Sequence, residues 1–125
     1  MGSNSWQQPT TDEPTLGEPH EHYATLVSGA NPNSTAMTTV DCSGQVPVGT
    51  TFIQGWLSAY GAADETLSIY DTAGANTYDR VRTQVNNQYN HAHFWAPVNT
   101  DRELLYAVSS TDITSVYIRM TGYNL

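Results

Sequence analysis

From residue 23 onward, apolar and polar positions alternate with a period of two, in short runs separated by turn residues. The longest run, 50–60, would place Phe52, Gln54, Trp56, Ser58 and Tyr60 on one face of a strand, and Ile53, Gly55, Leu57 and Ala59 on the other. Gly55 within it predicts a bulge or a close backbone approach. Run 115–123 sets Val116, Ile118 and Met120 against Tyr117, Arg119 and Thr121, and run 78–85 sets Val81, Thr83 and Val85 against Arg80, Arg82 and Gln84. Shorter runs lie at 23–28, 36–42, 66–70 (with Leu67 and Ile69 on one face), 91–98 and 104–109. Gly, Pro, Asn, Asp, Ser and Thr fill the gaps, and no segment keeps a 3.6-residue period. The pattern predicts an all-β domain of about eight antiparallel strands. A jelly-roll-like sandwich and an immunoglobulin-like sandwich both fit it.

Residues 1–21 read differently. Pro9, Pro14, Gly17 and Pro19 interrupt them, Asp12, Glu13, Glu18 and Glu21 charge them with no Lys or Arg, and only Trp6 and Leu16 are large and apolar. Such a stretch cannot bury enough surface to offset its chain entropy, so a flexible, disordered acidic arm is expected at 1–21 ahead of one sandwich domain at 22–125. The arm is either a solvated tail or a segment that orders on a neighbouring subunit, with Trp6 and Leu16 as its anchors.

The 125 residues suffice for one domain with its own core. The lone cysteine, Cys42, allows no internal disulfide and reads as a small buried hydrophobe. The net charge of −8, with Arg80, Arg82, Arg102 and Arg119 as the only basic residues besides histidine, argues against nucleic acid as a partner. No apolar run approaches the ~20 residues of a membrane helix, so no membrane partner is expected. The first residues lack the basic start and apolar core of a secretory signal, and Trp6 stands where a myristoylation motif requires Ser or Thr. Synthesis in a cytoplasm is the expectation.

Four short segments carry a resemblance: Val46-Pro47-Val48-Gly49-Thr50, Leu67-Ser68-Ile69-Tyr70-Asp71, Phe94-Trp95-Ala96-Pro97-Val98, and Val116-Tyr117-Ile118-Arg119-Met120-Thr121-Gly122-Tyr123. In these, residues 46–123 resemble small β-sandwich proteins and C-terminal modules of tailed-bacteriophage virions. The resemblance implies a jelly-roll-like subunit, a homotrimer, at the virion surface. Two roles follow from it. One is a capsid decoration or cement protein that bridges subunits of the major capsid protein. The other is a tail-fibre or spike tip that binds host glycans. A free-standing lectin-like module is a third reading. A strand with large residues on both faces, as in 50–60, needs cover on both sides, and another subunit would supply one of them.

Candidate chemistry is sparse. His91-Ala92-His93 and His20-Glu21-His22 each place two imidazoles on one strand face. Around a trimer axis, copies of His91 and His93 would form an octahedral set for a transition metal; otherwise they are polar residues of an Asn-rich region, and no cofactor is needed. The acidic pairs lack the oxygen density of a calcium loop. No Gly-x-Ser-x-Gly elbow, phosphate loop or His-Glu-x-x-His occurs, so an enzyme is not expected. Arg80 and Arg82 are the candidates for ion pairs with acidic patches on a partner chain.

Overall fold

The computed structural model describes residues 19–72 and 76–125. Eight strands follow one another: β1 (Pro19–Ala30), β2 (Thr38–Asp41), β3 (Phe52–Gly61), β4 (Thr66–Tyr70), β5 (Thr77–Arg82), β6 (Gln88–Pro97), β7 (Glu103–Val108) and β8 (Ile113–Asn124). They form two four-stranded antiparallel sheets, ordered β1-β8-β3-β6 and β2-β7-β4-β5.

The pairing has one simple logic. β1 pairs with β8, β2 with β7, β3 with β6 and β4 with β5. The chain is therefore one long hairpin with its tip between β4 and β5, rolled so that β3 also meets β8 and β4 also meets β7. That order is a jelly roll, one of the two sandwiches the strand pattern allowed.

Alternation decides what lies between the sheets. Ile53, Leu57 and Ala59 of β3, Phe94 and Ala96 of β6, and Val116, Ile118 and Met120 of β8 face inward. Val40, Leu67, Ile69, Val81, Leu104, Tyr106 and Val108 face them from the other sheet, and all are buried. Each fully buried aliphatic side chain contributes about 1.5–3 kcal/mol, which is how so short a chain holds two sheets together without a disulfide.

Gly55 fulfils its prediction in both forms. The β3–β8 register shifts between Gln54 and Gly55, and a Cβ at Gly55 would lie 1.8 Å from the Arg119 carbonyl oxygen. Cys42 is fully buried, and burial pushes its thiol up to about 12, as suits a small hydrophobe.

Three boundaries differ from the sequence reading by three residues or more. β1 begins at Pro19, inside the segment assigned to the arm: Pro19, His20 and Glu21 pair with Asn124, Tyr123 and Gly122. Pro is tolerated as the first residue of an edge strand. β5 ends at Arg82, and Val85 is exposed. Thr83 still turns inward, and its hydroxyl donates to the Ala62 carbonyl and accepts from the Glu65 N–H, tying down the β3–β4 turn. β6 begins earlier than expected, at Gln88. Trp6 and Leu16, the expected anchors of the arm, lie outside the described residues.

Candidate functional site

The two outer faces are unlike. On the β2-β7-β4-β5 sheet, the positions alternating with the core are Thr39, Asp41, Thr66, Ser68, Tyr70, Tyr78, Arg80, Arg82, Glu103, Leu105 and Ala107, a mixed surface in which two tyrosines stand among charged and small residues. On the β1-β8-β3-β6 sheet, the register sets Phe52 beside Pro97, Gln54 beside Trp95, Trp56 between His93 and Arg119, Ser58 between His91 and Tyr117, and Tyr60 between Tyr89 and Ser115. A solvated sheet face is usually polar. This one is a ladder of rings.

The rings are held in place. Phe52 and Trp95 stack at 4.3 Å, nearly parallel. Trp56 meets His93 edge-on at 5.5 Å. Tyr89 contacts Tyr60 at 5.0 Å and Tyr117 at 5.8 Å, and its hydroxyl shares a 2.9 Å hydrogen bond with Ser115 Oγ. The Arg119 guanidinium carbon sits 4.3 Å from the Tyr117 ring centroid, a cation–π contact across one strand face. Even so, Trp56 is 46% exposed and Tyr89 43%.

Near the β3–β8 centre, Ser58, Tyr89, His91, Tyr117 and Arg119 line an open depression of about 230 Å³. Ser58 is buried, and its Oγ shares a 2.5 Å hydrogen bond with His91 Nδ1. A serine–histidine contact is half of a nucleophilic site; the other half is a group that orients the imidazole and donors for an oxyanion. The lining residues include no carboxylate for the first task. What they offer is flat ring surface edged by hydroxyl, imidazole and guanidinium groups, which suits recognition by stacking and hydrogen bonding.

His91 and His93 do share one outward face of β6, as their spacing predicts. Ser58 engages Nδ1 of the first, and the Trp56 ring flanks the second. His20 stacks on Tyr123 at 5.0 Å, and His22 meets the same ring edge-on at 6.4 Å. Among the described residues, no group of three or more His, Cys, Asp or Glu could hold a metal within one chain.

Arg80 and Arg82 lie on β5, on the opposite sheet from the ring ladder. Arg82 donates to Asp64 at 2.8 Å, with both side chains mostly exposed, a geometry worth little in stability. Arg80 is exposed on the same strand. Arg102, at φ 61°, does structural work instead: its guanidinium donates to the carbonyls of Ser43 and Val46, fastening the β2–β3 loop.

The sequence reading did not single out Ser58, Tyr89, Tyr117 and Arg119 as a group. Parity along runs 50–60 and 115–123 set Ser58, Tyr117 and Arg119 opposite the aliphatic positions, Tyr89 lay outside every run, and only the strand order brings three separate strands side by side. Compared with known protein families and with curated proteins, the sequence matches none.

Proposed function

We propose that this chain is a structural protein of a tailed-phage virion, a capsid decoration or cement protein that bridges subunits of the major capsid protein at the virion surface. The reading rests on residues 46–123, which resemble such proteins. The observation that carries it is a jelly roll with two chemically distinct outer faces. A bridging protein needs more than one contact surface, and here an aromatic face backs onto a face bearing Arg80 and Arg82. Bridging acts mechanically: contacts spread over neighbouring shell subunits raise the cost of separating them. Arg80 and Arg82 supply charge-assisted contacts to acidic patches of the shell. The test is co-sedimentation of the purified chain with expanded phage shells stripped of decoration. Saturable binding, weakened at least tenfold by Arg80→Glu, is the expected result. Absence of binding to any shell contradicts the proposal.

A glycan-binding fibre or spike tip is the second reading. The depression lined by Ser58, Tyr89, His91, Tyr117 and Arg119 favours it, because rings stack on sugar faces while the polar groups bind hydroxyls. A glycan array separates the two, since a cement protein binds no sugar.

A further inference from the structure

The ring ladder on the β1-β8-β3-β6 sheet is the largest unexplained feature of the molecule. We propose that this face binds a second copy of the chain, making it the self-association surface of the homo-oligomer. The inference deepens the structural-protein reading by naming the partner of one face.

Exposure comes first. Tyr23, Trp56, Tyr89 and Trp95, four of the nine exposed large hydrophobic side chains among the described residues, lie on this one sheet. A patch of that kind marks an interaction surface.

Charge then selects the partner. The chain carries −8, so two copies repel each other on net charge. The outward positions of β3, β6 and β8 include no carboxylate at all. Among the described residues, acids border them only at the rims: Glu21 on β1, whose carboxylate accepts the Tyr23 hydroxyl, and Asp79 on β5, whose carboxylate accepts the Trp95 N–H. The ring ladder is thus where copies of an acidic protein can meet without stacking acid on acid. The opposite face bears Asp41 and Glu103 side by side.

Size and order agree. Ten residues of β3 and four strands span a patch of roughly 30 by 15–20 Å. That footprint, about 450–600 Å², is more than half of the ~800 Å² that each partner gives to a standard interface. Stacking and the Ser58–His91 and Tyr89–Ser115 hydrogen bonds already fix the side chains, so little rotamer freedom is lost on association. Trp56, central and flanked by His93 and Arg119, has the character of an anchoring residue.

The test is the solution mass of the full chain, measured by sedimentation over a range of concentrations, for wild type, Trp56→Glu and the opposite-sheet control Tyr78→Glu. The wild type is expected at twice 13.7 kDa, since a face that meets its own copy closes a two-fold pair. Trp56→Glu should raise the dissociation constant at least 100-fold while its circular dichroism stays native, and Tyr78→Glu should leave the mass unchanged. If Trp56→Glu fails to fold, Tyr89→Ala replaces it and must weaken association at least tenfold. A wild type that stays monomeric to millimolar concentration overturns the proposal, including one that binds glycans through this face. So does an oligomer that both face variants leave intact. Shell binding is measured separately, so the failure of one reading is distinguishable from the failure of the other.

Discussion

At Gly55 the backbone of β8 comes so close that no side chain fits. Gly55→Ala would drive a methyl group into the Arg119 carbonyl, and both strands are locked in the centre of a sheet. We expect a loss of at least about 3 kcal/mol, read as a drop in urea midpoint or as failure to fold. Arg102 makes a different kind of contribution. Replacing it with Met keeps much of the stem but leaves the Ser43 and Val46 carbonyls without their donor, for a cost of about 2 kcal/mol by urea denaturation. Cys42 carries a pH signature. Its thiol is raised from an ordinary 9.0 to about 12 by burial. The folded chain therefore keeps a proton that the unfolded chain releases, and stability falls as pH rises between those values, by up to about 1.4 kcal/mol per pH unit. Below that window Cys42 contributes no pH dependence. Cys42→Ala should lose stability less steeply than wild type between pH 9 and pH 11, as read from paired urea midpoints at each pH.

Elements were readable to the degree that their alternation was clean. Run 66–70 coincides with β4, and the parity of 50–60 and 115–123 separated core from surface in β3 and β8. The failures have local causes. Pro19, His20, Glu21 and His22 are poor strand formers, so only their pairing with β8 makes them part of β1. The Asn-rich stretch before His91 hid the start of β6. Strand order was invisible because every pair but β4–β5 closes over a long loop, and the code for it lies in packing rather than local pattern. The site shared that fate: Ser58 and His91 sit on strands whose adjacency no single run announces. One contact between the sheets is testable at this scale. Asp79 of β5 accepts the backbone N–H of Trp95 on β6 at 3.0 Å, joining the open edges of the two sheets. Asp79→Ala should speed hydrogen exchange of the Trp95 amide at least tenfold and cost about 1 kcal/mol by urea denaturation.

For the whole molecule, a rolled hairpin gives two outer faces of unlike chemistry. The proposed assembly buries the ring ladder between copies and leaves the β2-β7-β4-β5 sheet, with Arg80, free for the shell. Such an oligomer rests on stacked rings rather than on bound metal, so a chelator should leave its mass unchanged. If chelation dissociates it, the His91 and His93 pairs become the bridging group. On the proposed function, the chain strengthens a shell by bridging its subunits. The most direct test is the rupture temperature of expanded phage shells, followed by light scattering, with and without a saturating coat of the chain. Coating is expected to raise the rupture temperature by several degrees, and Arg80→Glu at the same concentration to raise it less. Shells that bind the chain yet rupture at an unchanged temperature would contradict the proposed function.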